Sequence, residues 1–286
     1  MKIIQQNNIL YKFNKHGKKQ RVIKIKCSYC KNTIYKDFRK SRRGKYSYCL
    51  GTNCKRLHQY KYKDSKGSKI MQLIDTPNFN YLVGLIASDG HIQYPGSSPS
   101  VTKYGCRIEL HERDLELLKN IKTKFGGYLN KGNSKKCSLY HWDIFNRDFI
   151  IFLRDIVGLT NNKSKTLDIN RFWFNNLEKN SKSSFIRGIV DGDGCVCFTK
   201  NKFISICSYS PKFMIFLKEY FNTHKYKMST YGKELKFFGR NALPAFKDIF
   251  VNDKKSLFMK RKWEKWLLLY EYYTNAKPYN YNYIRS

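Results

Sequence analysis

Two aspartates occupy matched positions that could form a reactive pair. Residues 79–90 read FNYLVGLIASDG and residues 183–194 read SSFIRGIVDGDG, so Asp89 and Asp193 each close an apolar run and precede a glycine. Leu82, Leu85 and Ile86 in the first copy, and Ile186, Ile189 and Val190 in the second, share one helical face. Gly84 and Gly188 interrupt those faces. A helical glycine costs on the order of 1 kcal/mol against alanine, and close approach of two backbones is a sufficient reason for it. Helices packed along these faces would end side by side, with Gly90 and Gly194 as glycine C-caps and the two carboxylates as neighbours. Like charges raise each other's pKa, and the negative end of a helix disfavours an anion. Such a pair calls for a divalent cation. Hard oxygen donors suit Mg²⁺, and that cation supports phosphodiester hydrolysis. A lone DGDG is also a common turn or a fragment of a calcium loop, but Cys195 stands where such a loop needs its third carboxylate.

The elements around the pair repeat in the same order. After each Asp-Gly comes β-like sequence, at 91–93 and 107–110 in the first copy and at 195–199 and 203–208 in the second. An amphipathic helix follows, 114–125 or 211–221, then more strand-like sequence, 140–145 or 234–238, and a further helix, 147–157 or 242–250. Two α+β units in tandem imply a pseudo-twofold, with units at 76–180 and 181–286 behind an amino-terminal module and linker at 1–75.

The net charge of +35 in a chain that is 41% apolar and 16% aromatic describes a folded protein rather than a disordered polycation. Its partner is a polyanion, and nucleic acid comes first because each neutralised phosphate releases counterions. No apolar run approaches the roughly 18 residues of a membrane span, and no secretion signal opens the chain, so a soluble, intracellular protein is expected.

Residues 1–75 carry 21 Lys or Arg against three acids. Cys27-x2-Cys30 and Cys49-x4-Cys54, separated by 18 residues, have four-thiolate zinc spacing. The reading YCLGTNCKRLHQY at 48–60 resembles the helical half of a treble-clef or zinc-ribbon knuckle, with His58 as a spare ligand. Arg39, Arg42 and Arg43 between the pairs would grip phosphates and lengthen the footprint on DNA. The cysteines at 106, 137, 195, 197 and 207 are read as small hydrophobes, and His91 as structural.

LVGLIASDG (82–90) and IRGIVDGDG (186–194) resemble the two signature helices of a single-chain LAGLIDADG homing endonuclease, and GLTNNKSKTL (158–167) and SLFMKRKWEKW (256–266) resemble the ends of the family's two units. The resemblance covers about residues 76–270. It implies two αββαββα halves whose antiparallel sheets form a saddle over DNA, in a monomer; the zinc-binding module read from the cysteine spacing precedes them. It implies that Asp89 and Asp193 bind catalytic Mg²⁺, assisted by the carbonyls of Ser88 and Gly192. By the same likeness Lys163 and Lys260 are the basic active-site residues, and Glu112 and Ser208 the polar residues closing the second strands. One departure is Ala87, where the second copy has Asp191. The chain begins with Met1 and lacks terminal splicing residues, which favours a free-standing enzyme over an intein.

Unequal halves would read a long asymmetric site, through two-stranded ribbons that fit the major groove. The candidate contacts are Gln93, Lys103, Arg107, Lys131, Lys135, Lys200, Lys202, Lys227 and Lys236, most of them to phosphates. The expected activity is metal-dependent, site-specific double-strand DNA cleavage. The alternative is a degenerate relative, either an intron maturase that binds RNA or a DNA-binding regulator.

Overall fold

The structure is a computed structural model that describes residues 3–6, 9–13, 19–26, 33–37, 69–74, 76–98, 101, 103–132, 138–223, 229–231, 233–250 and 256–274. The chain divides into two compact units, Met1–Lys63 and Asp64–Ser286. In the first, strands β1 (Ile3–Gln6), β2 (Ile9–Phe13), β3 (Lys19–Lys26) and β4 (Thr33–Asp37) form a sheet in sequential order. Each neighbouring pair is antiparallel, with Leu10 opposite Val22 and Ile25 opposite Ile34. This sheet was not anticipated from the sequence. Cys27, Cys30, Cys49, Cys54, His58, Arg39, Arg42 and Arg43 lie outside the described residues.

The second unit opens with a helical turn at Lys69–Gln72 and then runs α1 (Pro77–Asp89), β5 (Gly90–Gln93), β6 (Gly105–His111), α2 (Leu115–Phe125), β7 (Tyr128–Lys131), β8 (Leu139–Ile144) and α3 (Arg147–Phe152). A π-helical stretch, Leu153–Val157, extends α3, and the short helices α4 (Lys163–Thr166) and α5 (Arg171–Asn175) follow. The pattern then repeats as α6 (Lys179–Asp193), β9 (Gly194–Phe198), β10 (Lys202–Cys207), α7 (Pro211–Thr223), β11 (Ser229–Tyr231), β12 (Glu234–Phe238) and α8 (Ala242–Phe246), and α9 (Lys260–Thr274) closes it. Both sheets are antiparallel and have one topology, β5-β6-β8-β7 and β9-β10-β12-β11. The repeat seen in the residues is thus a repeat of architecture.

Two differences from the sequence reading have simple causes. The edge strands β7 and β11 were missed because they are short and lack an alternating apolar pattern. The helices expected at 147–157 and 242–250 are not regular throughout: the first changes to π geometry at Leu153 and stops at Gly158, where φ is +95°, and α8 ends at Phe246.

Local chemistry sets the entry to α1. Pro77 supplies a helical φ, and the Thr76 hydroxyl accepts a hydrogen bond of 3.3 Å from the Phe79 amide. From there to Ser88 the helix is buried on every side, as expected of a helix at the centre of a unit. Edge-to-face aromatic contacts fill the core: Phe79 meets Phe149 and Phe152, while Trp173 and Phe174 of α5 meet Phe185 of α6, and Phe174 also meets Phe216 of α7. Among the described residues, no helix is long and apolar enough to cross a membrane.

Candidate active site

α1 and α6 pack through their glycines. A Cβ on Gly84 would overlap the Phe185 carbonyl oxygen and lie 3.2 Å from the Gly188 Cα; one on Gly188 would overlap the Tyr81 carbonyl oxygen and lie 2.6 Å from the Leu85 nitrogen. The obstacles are backbone atoms, so no side chain can move aside. The contact runs on to the helix ends, where a Cβ on Gly192 would overlap the Ser88 hydroxyl and stand 3.3 Å from the Asp89 carboxyl carbon. The residue next to Asp193 therefore lies beside Asp89, with no room for a side chain between them.

No loop separates helix from strand at either aspartate. Gly90 (φ −80°, ψ 154°) and Gly194 (φ −92°, ψ 162°) are extended and already belong to β5 and β9. They cap the two helices, their amides donating to the Ile86 and Val190 carbonyls, but in extended rather than left-handed geometry. Glycine is required there by crowding, because a Cβ would come within 2.6 Å of the Ile86 Cα or 2.5 Å of the Val190 carbonyl oxygen.

Asp89 and Asp193 both reach solvent, yet helix ends and buried lysines crowd the rest of each side chain. Desolvation, followed by the charge of Asp89, pushes the Asp193 carboxyl up to about 6, while Lys163 and Lys262 oppose the rise. Desolvation also raises Asp89, against the pull of Lys262, Lys163 and Arg261. Among the described residues, no group of three His, Cys, Asp or Glu side chains stands together as a metal site. The donors available to a cation are this carboxylate pair.

One buried lysine serves each half. Lys163, the first residue of α4, donates to the Ser88 carbonyl. Lys262 donates to the carbonyls of Val190 (2.9 Å), Asp191 (2.6 Å), Gly192 (3.2 Å) and Gly194 (2.7 Å). These carbonyls lie at the negative ends of α1 and α6, where a cation is favoured. Burial lowers the pKa of both lysines, partly offset by Asp193 and Asp89 around Lys163 and by Asp191 and Asp89 around Lys262. The Ser88 and Gly192 carbonyls, expected to assist a metal, are thus engaged by ammonium groups.

Lys260, the basic residue expected in the second half, lies exposed at the start of α9. Lys262 is the inward-facing lysine of this helix instead, because the buried positions of α9 are 262, 263, 266 and 269, a helical stripe that excludes 260. That spacing could have identified Lys262 from the sequence. Asp191, the acid without a counterpart at Ala87, is buried away from solvent. Its Oδ2 accepts from the Tyr81 hydroxyl at 2.7 Å and the Met259 amide at 2.9 Å, and Arg187 Nε lies 4.0 Å away.

The remaining expected residues are dispersed. Glu112, itself exposed, begins a 3₁₀ turn beyond β6. Ser208 is buried and accepts from the Ser210 amide at 3.2 Å in the turn into α7. Neither has a contact with the aspartates. His91 is exposed on β5. Gln93 and Arg107 lie on β5 and β6, Lys131 ends β7, Lys103 and Lys200 are exposed in loops, and Lys135 and Lys227 lie outside the described residues. Lys202 covers the Tyr272 ring at 4.2 Å, and Lys236 covers the Phe203 ring at 4.3 Å while pairing with Glu234 at 3.3 Å.

No protein-family model and no curated protein matches the chain. Among solved structures it is similar to I-SmaMI bound to uncleaved DNA target in the presence of calcium ions, with 14% identity, coverage of 69% of this chain and 91% of that one, and a TM-score of 0.43. It is also similar to the LAGLIDADG meganuclease I-CpaMI bound to uncleaved DNA, with 15% identity, coverage of 70% and 92%, and a TM-score of 0.42. The LAGLIDADG homing endonuclease I-GzeII in complex with its DNA target is similar at 14% identity, 70% and 91% coverage and a TM-score of 0.42. Values this low leave the reading of the site to the chain's own residues.

Proposed function

We propose that this chain is a site-specific double-strand DNA endonuclease of the LAGLIDADG homing type, dependent on a divalent metal. The observation that carries the reading is the approach of Asp89 to the end of α6, which makes one acidic pair from two repeats. A bare pair of this kind is unfavourable, and a cation reverses the sign of the interaction. Hard carboxylate oxygens fit Mg²⁺. A divalent cation held by Asp89 and Asp193 supplies positive charge that stabilises the phosphoryl oxygens during hydrolysis.

The chain's own groups do the rest. Lys163 and Lys262 fix the carbonyls at the two helix ends and so hold the aspartates in place, and their charges favour an approaching phosphate. The two sheets present exposed faces to the duplex, and the +35 charge supplies sequence-independent attraction. The four cysteines at 27, 30, 49 and 54 form a zinc site in this reading, for which metal analysis should find one zinc per chain, lost in Cys27→Ser.

The deciding test is cleavage selection from a genomic or randomised DNA library with Mg²⁺ or with EDTA. The reading requires Mg²⁺-dependent recovery of one long, asymmetric sequence cut on both strands. Sequence-specific binding with no nicking in Mg²⁺ or Mn²⁺ would favour a DNA-binding regulator, and preferential binding of structured RNA would favour a maturase.

A further inference from the structure

On the exposed face of the first sheet, Arg107 of β6 stands opposite Asp143 of β8. Asp143 Oδ1 accepts from Arg107 Nε at 2.7 Å, and Oδ2 accepts from Nη2 at 3.1 Å. The Asp143 side chain is 10% exposed and that of Arg107 is 49% exposed. His141 Nε2, from the same strand, lies 3.3 Å from Asp143 Oδ2. The carboxylate is therefore anchored in the sheet and grips the guanidinium along one side.

Side-on pairing uses Nε and one N–H of Nη2. The end-on edge, with N–H groups of Nη1 and Nη2, is left for an outside acceptor pair. We propose that Arg107, held by Asp143, reads one guanine of the DNA target through N7 and O6 in the major groove, with Asp143 as the positioning residue. This rests on the endonuclease reading for its DNA partner and adds a base to it.

Two observations favour a base over a phosphate. Asp143 cancels the guanidinium charge, so the pair has little net charge with which to release counterions. Glu109, two residues along the same exposed face, would repel a phosphate further. Guanine presents two neutral acceptors that need a planar fork rather than net charge, and a fork already fixed by a carboxylate loses little side-chain freedom on binding.

The test is selection of bound duplexes from a randomised library by the full chain, its Arg107→Ala, Arg107→Lys and Asp143→Asn forms, with bound and cleaved fractions sequenced separately. Wild type should enrich guanine at one position. Arg107→Ala should lower that preference about 5- to 150-fold, the range of one bidentate contact, with other positions unchanged. Asp143→Asn should relax the same position, and Arg107→Lys, which keeps the charge without the fork, should not restore it. Uniformly weaker binding with every base preference intact would make Arg107 a phosphate contact and overturn the proposal, as would no change at all. If guanine preference is lost as expected but nothing is cut, the inference stands and the endonuclease reading falls. If cutting is sequence-specific and insensitive to Arg107, the reverse holds.

Discussion

The Tyr81 hydroxyl donates a 2.7 Å hydrogen bond to Asp191 Oδ2, joining the first copy's signature helix to the second copy's. The same oxygen accepts from the Met259 amide at the entry to α9, the helix that carries Lys262. Burial raises the pKa of both Asp191 and Tyr81, with Arg187 and Lys262 opposing the rise at Asp191. An acid that the first copy lacks is thus a structural joint. Asp191→Ala should destabilise the protein by about 3–5 kcal/mol, because it strands a buried charge and two donors. Urea unfolding measures this, and a loss under about 1 kcal/mol would show that the joint carries little.

Gly188 makes a second prediction. Alanine would gain on the order of 1 kcal/mol of helix propensity, but its Cβ would meet backbone of α1 that cannot rotate away. Gly188→Ala should therefore be net destabilising by about 1–3 kcal/mol or more and should disturb the spacing of Asp89 and Asp193. Thermal unfolding and crystallography of the variant check it.

The pH dependence follows from Asp193, whose carboxyl lies at about 6 against an ordinary 3.8. Between those values the folded chain holds a proton that the unfolded chain has released. Stability from this group is therefore present below the ordinary value and is lost as pH rises toward 6 in metal-free protein. Mg²⁺ affinity should rise over the same window, because the proton must leave before the metal binds. Asp89→Asn should lower the Asp193 midpoint by removing the neighbouring charge. Carboxyl NMR titration reads this directly, and an unmoved midpoint would show that the two side chains do not interact.

Lys262 and Lys260 give a contrast within one turn. Lys262→Ala removes the donor from four helix-end carbonyls and should cut kcat by about 10²-fold or more, the scale of losing a fixed electrostatic group. Lys260→Ala, at an exposed position, should leave kcat within a few-fold. Single-turnover cleavage of the selected site measures both, and equal effects would remove the structural distinction between them.

The helix pair was legible because its signals are local: apolar spacing, a glycine in each face and an Asp-Gly at each end. What was not legible depends on register or on crowding. Arg107 meets Asp143 only because β6 and β8 pair as they do across an intervening helix and strand, and nothing near either residue sets that register. Gly90 and Gly194 look like C-caps in sequence, whereas their need for glycine comes from the turn below them. Lys260 was read as the basic residue from the resemblance alone, although the spacing of Trp263, Trp266 and Leu269 marks Lys262 as the inward residue. The structural role of Asp191 was not legible because its partners, Tyr81 and Met259, are remote in the chain.

The account rests on Asp89 and Asp193 acting as one metal-holding pair, and single-turnover cleavage by Asp89→Asn and Asp193→Asn tests it most directly. Each variant should bind the selected duplex with affinity within a few-fold of wild type and lose Mg²⁺-dependent cutting of both strands by about 10³-fold or more, the scale of removing a central catalytic group. Near-wild-type cutting by either variant would contradict the claim.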